Sequence, residues 1–234
     1  MSEAQLPLGL RLPAGSRLDN YVAGRNAEAV AAIEQLTLDT APATLYLYGL
    51  SGSGKTHLLQ AACRAVEQQG GQSLYLPLRT LAEHDPAALE ALEQFDLLAI
   101  DDLQAIAGQP VWEEALFHLY NRLREAGGRL LAAAMAAPEA LGVALPDLRS
   151  RLASGAVYAL HAADDAVRLR ILGLRAGERG LELPEETAQF LLRRCPRDLP
   201  ELMQLLERLD SAALAAQRRL TVPFVKTVLD KIRG

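Results

Sequence analysis

The chain has 234 residues, half of them hydrophobic, with a formal net charge of −5 and two cysteines. That length allows one large domain or two small ones, the apolar share is enough for a sizeable core, and the acidic balance argues against a dedicated nucleic-acid-binding surface. Cys63 and Cys195 lie far apart without partner spacing, so neither a disulfide framework nor a zinc site is expected, and a reducing cytoplasm is the natural home. The N-terminus lacks the basic and apolar regions of a signal peptide, and no apolar run reaches membrane-spanning length.

Residues 1–15 differ in texture from the rest of the chain. Gln5-Leu6-Pro7-Leu8-Gly9-Leu10 alternates leucine with residues that disfavour helix, and Pro7 and Pro13 keep the segment extended. Such a tail either packs on its own domain or inserts its leucines into apolar pockets of a partner. Leu18 to Gly24 is a turn-rich approach to a helix over 27–36, with Asn26 as its candidate N-cap.

A strand over 44–48 (Thr-Leu-Tyr-Leu-Tyr) leads into Gly49-Leu50-Ser51-Gly52-Ser53-Gly54-Lys55-Thr56, which meets the phosphate-loop pattern G-x-x-x-x-G-K-[ST] at every fixed position. Leu58, Leu59, Ala62, Cys63 and Val66 then recur at helical spacing. Strand, glycine loop and helix are the context that the motif needs. Glycines let the backbone wrap a phosphate chain, and amides at the helix start point at it. Ser51, Gly52, Ser53 and His57 complete the expected nucleotide contacts, Lys55 adds charge, and the Thr56 hydroxyl can reach a bound Mg²⁺.

A second strand is expected over 72–76, a linker over 77–85, and a helix over 86–94. Phe95 to Asp102 reads as an apolar strand ending in two acids, the complement of the phosphate loop: Asp101 would hold Mg²⁺ and Asp102 polarise an attacking water. An amphipathic helix over 111–125, a strand over 129–134 and a fifth strand over 157–160 come next. Strands alternating with helices imply an α/β parallel sheet with ligand at the strand C-terminal ends. Beyond His161 only helical patterns remain, over 164–179, 184–194, 197–217 and 222–232. The expected division is a tail over 1–15, a nucleotide-binding α/β domain over 16–162 and a small helical domain over 163–234.

Together these residues resemble the AAA+ family and, within it, the DnaA branch. Asp19-Asn20-Tyr21-Val22-Ala23-Gly24 is similar to the DnaA-type segment lining the adenine pocket, and Asp101-Asp102 replaces the Asp-Glu common elsewhere in AAA+ proteins. Three stretches bring the likeness nearer to the DnaA-related inactivators: 119–122, 145–152 and 220–226. The chain stops at Gly234, where DnaA would continue into a helix-turn-helix domain.

The resemblance implies a five-stranded AAA+ sheet followed by a helical lid, and ADP or ATP with Mg²⁺ as cofactors. It implies Tyr21 and Val22 at the base and Arg151 as an arginine finger supplied to a neighbour's nucleotide. Arg197 becomes the lid's sensor arginine, with Arg193 and Arg194 as nearby alternatives. Gln5, Leu6, Leu8 and Leu10 are similar to peptides that bind the bacterial DNA polymerase III sliding clamp, the β subunit. The implied partners are therefore DnaA and the clamp, with DNA reached through the clamp, and a homodimer stays open. One departure stands out: where the family places a polar first sensor, this chain has Met135 or one of its apolar neighbours, so weak intrinsic hydrolysis is expected. The implied function is inactivation of DnaA by promoting hydrolysis of its ATP, and the alternative is an autonomous AAA+ ATPase or helicase loader.

Overall fold

The computed structural model describes residues 15–39, 43–195 and 198–233. The chain divides into two compact units, 1–162 and 163–234. In the first, α1 (Ala27–Thr37), β1 (Thr44–Tyr48) and α2 (Lys55–Gln68) are followed by β2 (Ser73–Pro77) and the short α3 (Leu78–Leu81). Then come β3 (Leu97–Asp101), α4 (Pro110–Glu125), β4 (Arg129–Ala134), α5 (Pro146–Ala153) and β5 (Ala156–Ala159).

Among the described residues the five strands form one parallel sheet in the order β2-β3-β4-β1-β5. The central strands β3 and β4 are buried at every position. Alternation along each strand divides them between two cores. Leu45, Leu47, Leu97, Ala99, Leu131 and Ala133 face α1 and α2, meeting Ile33, Leu36, Leu59, Cys63 and Val66. Tyr46, Leu98, Ile100, Leu130, Ala132 and Ala134 face the other way, meeting Trp112, Leu116, Leu119 and Leu123 of α4 and Leu148 and Leu152 of α5. Helices on both faces explain why these strands read as continuous apolar runs.

Two local expectations are corrected. The stretch over 86–94 forms only a 3₁₀ turn, Pro86–Leu89, and Ala91 takes a left-handed φ of 56°, which ends helical winding. Asn26 does not cap α1; it is buried, and its side chain bonds to the backbone of His161 at the exit of β5. The stretch from Leu148 to Leu152 lies on α5, whose Pro146 suits a first helical turn.

The second unit contains α6 (Asp165–Glu178), α7 (Glu185–Arg194), α8 (Leu199–Ala216) and α9 (Val222–Arg233). Asp164 and Asp198 cap α6 and α8 by accepting from Val167 N and Glu201 N. Leu191, Leu209, Leu220, Val225 and Leu229 form one apolar centre, and Leu172, Leu192 and Leu202 a second. No helix among the described residues is long and apolar enough to cross a membrane.

Candidate functional site

β1 delivers the chain to the C-terminal edge of the sheet, where residues 49–54 loop into α2. Gly52 and Gly54 take left-handed φ values of 74° and 92°, which a side chain resists. Gly54 is constrained twice, because a Cβ there would lie 2.7 Å from the Tyr21 ring. Lys55, 7% exposed, donates from Nζ to the carbonyls of Gly49 (2.6 Å) and Leu50 (3.0 Å). Burial pulls its ammonium below the ordinary pKa, and the carboxylates of Asp101 and Asp102 oppose that pull.

The aromatic wall comes from the segment before α1. The Tyr21 hydroxyl donates to Ser53 O (3.2 Å) and accepts from Asn26 Nδ2 (3.0 Å). Asn26 Nδ2 also reaches His161 O (3.0 Å), while Asn26 Oδ1 accepts from His161 N (2.8 Å). One buried amide thus clasps the chain leaving β5 to the start of α1. The His57 ring lies 5.6 Å from that of Tyr21, and its Nε2 is 3.0 Å from Arg17 O. Val22 is half-buried, Gly52 is half-buried, Ser53 is buried and Ser51 is exposed.

β3 ends two strands away, yet Asp101 reaches the loop. The Thr56 hydroxyl donates to Asp101 Oδ2 at 2.6 Å. The hydroxyl and carboxylate supply the hard oxygens that Mg²⁺ takes together with phosphate and water, so these two residues fit that ion. Asp102, at a left-handed φ of 57°, turns away and is held by Arg79 Nε (3.1 Å) and Gln104 Nε2 (2.6 Å). Gln104 Oε1 accepts from the Met135 amide (3.2 Å). The end of β4 thus carries an exposed methionine side chain, and the neighbouring polar group comes from Gln104.

Arg151 lies apart from this cluster. It sits exposed in the last turn of α5, and its guanidinium has no hydrogen-bond or ion-pair partner among the described residues. The start of α5 is pinned by Glu113, 1% exposed, whose carboxylate accepts from the amides of Gly108 (2.7 Å), Ala144 (3.0 Å) and Leu145 (2.7 Å). Gln104 and Glu113 escaped the sequence reading. Glu113 did leave a trace, an acid aligned at helical spacing with Leu116 and Tyr120 on the apolar stripe of α4. Arg193 and Arg194 lie exposed in the last turn of α7, with Arg194 6.0 Å from the Phe190 ring centroid. Arg197 and the tail residues Gln5, Leu6, Leu8 and Leu10 lie outside the described residues.

A parallel sheet in this strand order, a phosphate loop after its first strand, an acid ending its third strand and a helical second unit define an AAA+ protein of the DnaA-like kind. The chain belongs to the family of the bacterial DnaA ATPase domain, whose model matches residues 14–159, and residues 165–229 match the lid domain of Hda. Domain III of the replication initiation protein DnaA from Thermotoga maritima is similar over 94% of this chain and 98% of its own, with a TM-score of 0.82 and 24% identity. AMPPCP-bound DnaA from Aquifex aeolicus shares 22% identity over 95% of this chain and 71% of its own, at a TM-score of 0.73. The Thermotoga maritima RuvB Holliday junction branch migration motor is similar at 17% identity and a TM-score of 0.70, over 94% of this chain and 72% of its own. At these identities the likeness establishes the fold.

Proposed function

We propose that this chain binds an adenine nucleotide at 49–57 and regulates DNA replication by acting on DnaA. The observation that carries this reading is the joining of a DnaA-type ATPase domain to an Hda-type lid in one chain. Tyr21 and Val22 border the base, Lys55 meets the phosphates, and Thr56 with Asp101 would hold Mg²⁺, which when bound neutralises phosphate charge. With Asp102 tied to Arg79 and Gln104, this nucleotide serves chiefly to set the protein's shape.

The catalytic contribution is made elsewhere. Arg151 is exposed and unpaired among the described residues, as an arginine acting on another molecule's phosphate must be. Placed at the γ-phosphate of ATP on DnaA, it stabilises charge developing in the transition state, an effect worth ~10³–10⁵ in rate. Gln5, Leu6, Leu8 and Leu10 dock on the sliding clamp and bring the chain to DNA.

The test follows labelled ATP on DnaA with this protein, clamp and DNA. Arg151→Ala retains clamp binding and loses stimulation. Replacing Gln5, Leu6 and Leu8 by alanine loses clamp binding and keeps nucleotide affinity. An Arg151→Ala protein that still stimulates DnaA would overturn the assignment. The second reading, an autonomous ATPase, draws on the Gln104 amide beside Met135. It requires vigorous hydrolysis by the chain alone, abolished by Lys55→Ala.

A further inference from the structure

Hydrogen bonds join four strand exits at the C-terminal edge of the sheet, and they follow the strand order. Arg79, on α3 directly after β2, donates from Nε to Asp102 Oδ2 (3.1 Å). Asp102, just past β3, accepts at Oδ1 from Gln104 Nε2 (2.6 Å). Gln104 Oε1 accepts from the amide of Met135, just past β4 (3.2 Å). The carbonyl of that same peptide, Ala134 O, accepts from the amide of Gly49, just past β1 (3.2 Å). The sheet order is β2-β3-β4-β1-β5, so the line crosses four neighbouring strands in turn.

Gln104 is half-buried and held at both ends. It stands in the 3₁₀ turn Leu103–Ala105, and its flanking Leu103 and Ile106 are each 1% exposed in the core. A backbone N–H only donates and a carboxylate only accepts, so one orientation of the amide serves both partners. The stretch that contains the held peptide, Ala132-Ala133-Ala134-Met135-Ala136-Ala137, brings no polar side chain of its own. Beyond the peptide, Gly49 has little room to drift. Its carbonyl accepts from Lys55 Nζ (2.6 Å), and a Cβ on it would lie 2.5 Å from Leu160 O. The entry of the phosphate loop is thus set at its amide, at its carbonyl and on its open Cα side, and the amide contact leads back to Gln104.

We propose that Gln104 is a positioning residue for the phosphate loop: through the Ala134–Met135 peptide it sets Gly49, and with it the carbonyl that seats Lys55, relative to the end of β3. The proposal rests on the reading of 49–57 as a nucleotide site. A side-chain amide bonded at both ends restricts the peptide it holds, and a loop ordered in advance binds its ligand without a further ordering cost. Gln104 acts on the backbone of the loop and not on a phosphate or a metal. Its effect is therefore the same for a diphosphate and a triphosphate, and does not require Mg²⁺.

The experiment titrates ADP and a non-hydrolysable ATP analogue into the full chain, with Mg²⁺ and with EDTA, and follows amide hydrogen exchange over 49–54. Gln104→Met keeps the length of the side chain and removes both hydrogen bonds. It is expected to weaken both nucleotides alike by about fivefold to tenfold, with or without Mg²⁺, and to speed exchange over 49–54. Gln104→Glu is the conservative variant: protonated, its carboxyl donates to Asp102 and accepts from Met135 as the amide does, whereas ionised it repels Asp102. Its ADP affinity relative to the parent should therefore be reduced at about pH 8 and recover toward about pH 5.5. A glutamine with only a structural role would lower the urea midpoint and leave affinity and loop exchange at parental values, and that result would overturn the proposal. So would a loss confined to the ATP analogue, which would make Gln104 a phosphate contact, or a Gln104→Glu affinity ratio that ignores pH. In each case the nucleotide site stands. A parent chain that binds neither nucleotide would overturn both readings. If Gln104→Met does not fold, Gln104→Asn, too short to span both partners, decides by the same readouts.

Discussion

The Thr56 hydroxyl lies 2.6 Å from Asp101 Oδ2, joining two stretches 45 positions apart in sequence. The contact arises from parallel strands: β1 and β3 point the same way, so the loop after one and the acid ending the other share an edge. The pair lies beside Lys55, whose charge is half of the same arrangement.

Lys55→Ala and Thr56→Val should separate charge from metal. Lys55→Ala removes a buried cation and is expected to weaken ADP by about 10–100-fold with or without Mg²⁺, the worth of one charged hydrogen bond. Thr56→Val keeps the shape and removes one oxygen ligand, so its loss should be confined to titrations containing Mg²⁺. Calorimetry under both conditions distinguishes the two.

Gly49→Ala should disrupt the loop from outside. An added Cβ would stand 2.5 Å from Leu160 O and 3.0 Å from Ser53 Oγ, so backbone must shift. Overpacking of this kind costs roughly 1–3 kcal/mol. A lowered urea midpoint together with weakened nucleotide binding is expected; parental values for both would show that β5 yields freely.

Glu113→Ala should act on α5 at a distance from the phosphate loop. It orphans the amides of Gly108, Ala144 and Leu145, at a cost of roughly 3 kcal/mol in unfolding free energy. With the start of α5 released, the stimulation of DnaA proposed for Arg151 should fall while ADP affinity is kept. Loss of ADP affinity in parallel would mean that the whole unit, rather than α5, depends on Glu113.

Cys63 gives a pH signature. Burial between α2 and the sheet pushes its thiol from 9.0 up to about 12. Because the folded value lies above the unfolded one, the unfolded chain loses the proton first. The thiol's contribution is complete below pH 9.0 and is lost as pH rises toward about 12. Urea midpoints should therefore fall between about pH 8 and about pH 10.5 more steeply in the parent than in Cys63→Ala. A thiol reagent at neutral pH should spare Cys63 until the chain unfolds.

Sequence alone carried the phosphate loop, the strand ending in Asp101, the alternation of strands with helices and the all-helical character beyond residue 162. Each of these is written in neighbouring residues: glycines that release φ, apolar runs of strand length, leucines three and four apart. What it did not carry is who meets whom. Asn26 had the look of a helix cap and instead clasps His161; residues 86–94 had helical composition and form one 3₁₀ turn. The hold of Arg79 on Asp102 and of Glu113 on the start of α5 joins groups 23 and 32 positions apart. Their pairing depends on strand order and helix placement, and only the folded sheet brings those groups within hydrogen-bond reach.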